Sequence, residues 1–234
     1  MLSQFSYLSN ISILTAKMLS KKHYLGILPI LLIVLFVLWK LAQFVDINLY
    51  ESGQDILSFI DLELTDEEAD RLDRDFIPGI EHVTSLTGLW AIRFLLVAFF
   101  MTPVSLLAGR SFPLYFRQTI GIAAGFFSLL HALMFVFTEG LFPVFTRFEL
   151  FFGFLAFLII MSLTLTSSKK AMKLLKRRWK SLHRLVYLAV FLVVAHLVLL
   201  DQSWSIYAML FGFGFFLRLK PVKKRITRIK STSK

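Results

Sequence analysis

Six stretches of this sequence stay apolar for about the 20 residues that an α-helix needs to cross a bilayer core. They run over roughly 25–44, 88–107, 118–138, 149–166, 182–200 and 204–219. A helix that is apolar on every face must be buried or surrounded by lipid. A chain of 234 residues has no soluble core large enough to hide six of them. The composition agrees: 57% of the residues are hydrophobic and the mean hydropathy is +0.72, against about half apolar in soluble domains. The predicted fold is an all-α polytopic membrane protein, a six-helix transmembrane bundle forming one domain over 1–234. Residues 1–20 mix polar and apolar positions, and no small-residue cleavage site follows the apolar run at 25–39. No cleaved signal peptide is expected.

The charges sort by side. The loop at 46–87 carries 12 of the 15 acidic residues. The loop at 167–181, SSKKAMKLLKRRWKS, has seven Lys or Arg and no acid, and eight more basic residues follow from Arg218 onward. Arg110 and Arg117 flank the short 108–117 loop. An excess of Lys and Arg marks the cytoplasmic side, so both termini, the 108–117 loop and the 167–181 loop are expected inside. The acidic 46–87 loop, the 139–148 loop and the 201–203 turn are then outside. The net charge of +11 sits largely in inner loops and in the basic 217–234 tail. That distribution suits an anchor on anionic membrane lipid, and no nucleic-acid partner is expected.

There is no cysteine, which excludes disulfides, thiolate metal sites, iron–sulfur clusters and thiol nucleophiles. Histidine is left as the main ligand for iron, copper or zinc, and there are five. With a helical rise of about 1.5 Å per residue, His131 lies roughly 20 Å along the third span and His196 roughly 21 Å along the fifth. Both spans start inside. The two imidazoles therefore fall at nearly one depth in the outer half, although depth played no part in placing the spans. Two facing imidazoles at one level supply the axial ligands of a b-type heme. The competing reading gives each ring an ordinary hydrogen bond to a carbonyl, Ser or Thr. The matched depth and the scarcity of histidine favour ligation, and ionisable groups inside a membrane are functional candidates by default.

The other candidates are less constrained. His183 stands at the inner end of the fifth span and His23 at the inner end of the first, where they would serve an inner heme or another electron carrier. Thirteen residues of ideal helix turn by about 220°, so His183 and His196 do not share a face. The alternatives are a basic-loop histidine for His183 and a solvated one for His23. His82, at the outer mouth of the second span, is placed to bond a heme propionate or a quinone, or is an ordinary interfacial residue. Arg93 lies inside the second span, where a cation needs a partner. Arg110, Arg117, Arg177 and Arg178 gather on the inner face, as plain positive-inside charges or as contacts for a phosphate-bearing flavin or an acidic donor. Gly121 and Gly125, four apart below His131, allow close approach of a porphyrin face or, more simply, of another helix.

Several stretches carry a family resemblance: IEHVTSLTG at 80–88, Thr102-Pro103, FRQTIGIAAGFFSLLHALMF at 116–135, and the block from Thr166 to Leu188 with its W-x-x-L-H-R-x-V-Y-L, followed by a histidine thirteen after the first. Over about 20–220 the chain resembles the MsrQ family, the heme-binding membrane subunits of bacterial periplasmic methionine-sulfoxide reductase systems, within the ferric-reductase-like transmembrane superfamily. The resemblance implies heme binding at His131, His183 and His196, with one or two b hemes. It implies location in the bacterial inner membrane and a periplasmic molybdopterin reductase subunit as partner. It implies electrons from a cytosolic flavin reductase or from quinol, with FMN or quinone as further cofactors. The 46–87 loop is longer and more acidic than the family pattern. Thr65 to Glu68 reads as a capping box that opens a short helix, either a docking element or a solvated surface helix.

The sequence thus predicts a redox subunit that carries electrons from the cytoplasmic to the periplasmic face. No nucleophile, carboxylate pair or nucleotide-binding glycine loop gives it a substrate pocket of its own. Two rival readings are a stand-alone ferric-chelate reductase and a heme-free transporter or assembly factor.

Overall fold

The structure, a computed structural model, describes residues 27–47, 57–201 and 204–232. An apolar helix α1 (Ile27–Ala42) opens the described chain. Two small antiparallel ribbons follow. Strand β1 (Val45–Ile47) pairs with β2 (Leu57–Phe59), setting Val45 opposite Phe59 and Asp46 opposite Ser58. Strand β3 (Leu62–Glu63) pairs with β4 (Phe76–Ile77) and encloses helix α2 (Asp66–Leu72). The capping box is formed: the Thr65 backbone N–H and hydroxyl both donate to the Glu68 carboxylate, at 3.3 and 2.9 Å.

The long helices come next. They are α3 (Gly79–Ala108), α4 (Leu114–Glu139), the short α5 (Pro143–Thr146) and α6 (Phe148–Leu165). Helices α7 (Lys169–Leu175) and α8 (Arg177–Leu182) lead through a 3-10 turn at His183–Leu185 into α9 (Val186–Leu199). Helices α10 (Trp204–Arg218) and α11 (Lys220–Thr232) complete the described chain. Four segments are long and apolar enough to cross a membrane: α3, α4, α6 and the run Arg177–Leu199. The pair α10–α11, bent by 65°, makes a fifth if taken together, and α1 is apolar but shorter.

Two boundaries differ from the sequence reading. Helix α3 starts well before 88, because its outer turns are polar and hydropathy does not register them. Asp61 Oδ1 accepts the Gly79 N–H at 2.9 Å and so caps an orphan donor of the first turn. The Thr84 and Thr87 hydroxyls return to carbonyls of their own helix, which lets polar residues sit there without open donors. The span expected at 182–200 is also not one uniform helix, since the 3-10 turn at His183 breaks it.

In lipid, helices associate by close packing and polar contacts rather than by escape from water. Here α3 packs on α4, α6 on α9 and α4 on α6, while α10 leans on both α3 and α9. Phe99 of α3 is 1% exposed and meets Tyr187, Phe211 and Phe215 edge-on, at 6.1, 5.4 and 4.9 Å between ring centres. Gly214 makes room for it: a Cβ there would come within 2.7 Å of the Phe99 ring. Pro103, inside α3, has no N–H, so the carbonyl four residues back, Phe99 O, lacks its helical donor. The Arg218 guanidinium fills that gap, donating to Phe99 O and, at 2.6 Å, to the Tyr187 hydroxyl. It also lies 4.2 Å from the centre of the Phe99 ring, a cation–π contact. A proline on one helix and an arginine on another thus form one joint.

Candidate functional site

The two histidines expected to face each other stand on α4 and α9. Both helices pack against α6, and more closely against it than against each other. His131 Nδ1 lies 2.8 Å from Thr84 O of α3. His196 Nδ1 lies 2.6 Å from Glu149 O of α6. A carbonyl only accepts, so each Nδ1 carries the proton and donates it, which leaves Nε2 of each ring as a lone-pair donor. No hydrogen bond to either Nε2 is found among the described residues. Neither ring is close-packed: each keeps part of its surface accessible, although it sits deep among neighbouring helices.

Each imidazole, with Nδ1 committed to a carbonyl, presents the tautomer in which Nε2 can bind a metal. Metal-bound histidines nearly always donate their second ring N–H to a carbonyl or carboxylate, which fixes the tautomer and the ring orientation. Among the described residues no group of three or more His, Asp and Glu is placed to hold a metal ion.

The remaining candidates are dispersed. His183 Nε2 is 3.3 Å from the Thr166 hydroxyl, and its ring stacks on Trp179 at 4.0 Å. The Trp179 indole N–H donates to Thr166 O at 2.9 Å. His82 packs on Phe44 at 4.5 Å and lines a cavity of about 280 Å³ between α1 and α3 with Lys40, Gln43 and Trp90. Arg93 is exposed on α3 and lies 5.0 Å from the centre of the Trp90 ring. Arg117 donates to the Ser105 hydroxyl at 3.2 Å, while its Nε is buried with no hydrogen-bond partner among the described residues. His23 lies outside the described residues. Gly125 is packed against a helix: a Cβ there would overlap the Thr164 side chain of α6.

Sequence reasoning missed Arg218, whose Nε is also buried with no partner among the described residues and which lines a cavity of about 560 Å³ with Arg110, Lys223 and Tyr187. It sits at the last residue of an apolar run, where a positive-inside charge draws no notice. Thr84 and Glu149 were missed as well. They act through backbone carbonyls, which no side-chain pattern reveals.

Comparison with known proteins gives the family. The model for the ferric reductase like transmembrane component matches residues 87–194. The protein-methionine-sulfoxide reductase heme-binding subunit MsrQ of Xanthomonas euvesicatoria pv. vesicatoria is 32% identical over 179 residues, 70% of this chain and 80% of that one. The subunit of the same name from Xanthomonas oryzae pv. oryzae is 34% identical over 142 residues, 58% of this chain and 64% of that one. That from Brucella anthropi is 33% identical over 140 residues, 57% of this chain and 62% of that one. No solved structure matches. The chain belongs to the MsrQ family.

Proposed function

We propose that this chain is the b-type heme subunit of a methionine-sulfoxide reductase system, conducting electrons from the cytoplasmic to the periplasmic side of the bacterial inner membrane. The observation that carries the reading is the pair of imidazoles on α4 and α9, each tied at Nδ1 to a backbone carbonyl and free at Nε2. Relatives named as heme-binding subunits supply the identity of the group. When bound, the heme supplies a one-electron couple. His131 and His196 would hold it through Nε2, the carbonyls of Thr84 and Glu149 hold the rings, and the surrounding apolar helices would keep water away.

The topology we propose has six spans, α1 and α10 included, with both termini and the basic loops in the cytoplasm. The donor, a cytosolic flavin reductase or quinol, is assigned to the inner end. There Arg110, Arg218 and Lys223 line the larger cavity, and a phosphate-bearing flavin such as FMN would find cationic partners. His183 marks the place of a second carrier. Ligation there requires its Nε2 to exchange the Thr166 hydroxyl for a metal. The acceptor, a periplasmic molybdopterin reductase subunit, is assigned to the outer face beside the acidic ribbons and α2.

The test is a reduced-minus-oxidised spectrum of the purified protein, with heme counted per chain for wild type, His131→Ala and His196→Ala. A b-type α-band in the wild type that disappears in both variants is the expected result. Full heme in both variants removes the ligand assignment, and no heme in the wild type removes the reading.

A further inference from the structure

Two parts of the chain repeat one device. Thr84, Gly88 and His131 belong to the hairpin of α3 and α4, and Glu149, Gly153 and His196 to that of α6 and α9. Each residue of the first set precedes its counterpart by 65 positions, and both hydrogen bonds span 47 residues. The likeness extends to the glycines. A Cβ built on Gly88 would come within 2.9 Å of His131 Nδ1, and one on Gly153 within 2.8 Å of His196 Nδ1. Alanines also match, Ala124 and Ala189, seven residues before each histidine and exposed by only 2% and 0%.

The geometry has a cause. In an α-helix the Cα–Cβ bond tilts toward the N-terminus, so the side chain of residue i covers the turn that holds the carbonyl of residue i−4. Glycine leaves that carbonyl open to a group arriving from the side. Here the open carbonyls are Thr84 O and Glu149 O, each four residues before its glycine. Each imidazole lies on the bare glycine backbone and reaches the carbonyl one turn away.

We infer that Gly88 and Gly153 are positioning residues for the metal-binding histidines, together setting the tautomer and ring plane at His131 and His196. The inference rests on the proposed ligation of heme by those histidines. A methyl group at either glycine would push the ring off its carbonyl. The Nδ1–H bond makes the imidazole a stronger electron donor to iron and favours the ferric state. Its loss would weaken heme binding and raise the reduction potential.

The experiment compares full-length Gly88→Ala and Gly153→Ala with two controls. At Gly121 a Cβ would meet nothing within 4 Å, and at Gly125 it would strike Thr164 rather than an imidazole. Heme per chain, the low-spin ferric EPR signal and the midpoint potential are measured for each. Expected for Gly88→Ala and Gly153→Ala is a loss of heme, with a shifted EPR signal and a raised potential in the fraction that remains. Gly121→Ala should match wild type. Gly125→Ala should lower thermal stability while leaving signal and potential in place. Wild-type values in both test variants overturn the inference. So does failure of both to accumulate while Gly125→Ala accumulates, because displaced rings should leave a folded chain. His131→Ala and His196→Ala, run in parallel, separate the two ideas. If they keep heme, the ligation reading fails. If they lose it while the glycine variants stay normal, only the positioning role fails.

Discussion

The histidines on α4 and α9 and the histidine in the turn before α9 are held by different materials. His131 and His196 are tied at Nδ1 to main-chain carbonyls of neighbouring helices, which cannot rotate away. His183 is contacted at Nε2 by a hydroxyl and stacked on an indole, both of them side-chain groups that are themselves bonded to main-chain carbonyls. A bond to backbone fixes a ring and leaves its outward nitrogen available. A bond to a side-chain hydroxyl occupies that nitrogen until the hydroxyl moves. On the proposed reading, the pair on α4 and α9 is preorganised for a metal, whereas His183 would first have to release the Thr166 hydroxyl.

The largest effect should separate the two regions directly. If His131 and His196 ligate heme as proposed, heme per chain in His131→Ala or His196→Ala should fall to about a tenth of wild type or less. His183→Ala should retain most of the outer heme, read from the same spectra. Equal losses at all three positions would break the contrast between the ends of the bundle.

A second test concerns the joint between α3 and α10. Arg218→Ala leaves Phe99 O without a donor and deletes the cation–π contact, a cost of about 3 kcal/mol. In a Pro103→Ala background the helix regains its own N–H for Phe99 O, so the same substitution should cost roughly 1 kcal/mol less. Thermal unfolding in detergent of the two single variants and the double variant measures the coupling. Additive effects would mean that proline and arginine do not act on one carbonyl. At the inner end, Trp179→Phe keeps the ring stack on His183 but deletes the N–H to Thr166 O. It should lower stability by about 1 kcal/mol and leave the outer heme content unchanged.

Much of this was legible in the chain. The apolar runs located the four segments long and apolar enough to cross a membrane, α3, α4, α6 and the run Arg177–Leu199, because bilayer thickness imposes a length that hydropathy detects. The capping box at Thr65 announced α2 through side-chain chemistry. The start of α3 was hidden, since Glu81, His82, Thr84 and Thr87 are polar and their helix is recognisable only once Asp61 caps it. The two ribbons were hidden too, since strands of two or three residues are too short for alternation to show. At the candidate site the histidines were visible as rare residues at matched depth, while their anchors were not. Gly88 looked like the edge of a span and Gly153 like an unremarkable residue within one. Laying the chain against itself at an offset of 65 aligns Gly88 with Gly153, Ala91 with Ala156, Ala124 with Ala189 and His131 with His196. That signal was present, but it is spread too thinly for a motif search.

The smallest effect lies on the outer surface, where a side chain holds a helix end rather than a backbone holding a ring. Hydrogen bonds to Glu68, first from the Thr65 hydroxyl and then from its N–H, hold the carboxyl below the ordinary range, with Arg71 adding to the effect and burial opposing it. A carboxyl harder to protonate in the folded state stabilises that state at pH values above its unfolded pKa, about 4.3. The contribution disappears as pH falls through the lowered folded value. Amide exchange along α2 should therefore quicken modestly on acidification below that point, while amides at the centres of α4 and α9 hold their protection. Glu68→Gln should quicken exchange at neutral pH and abolish the acid dependence in α2. Unchanged acid dependence in that variant would show that another carboxylate controls this end of the helix.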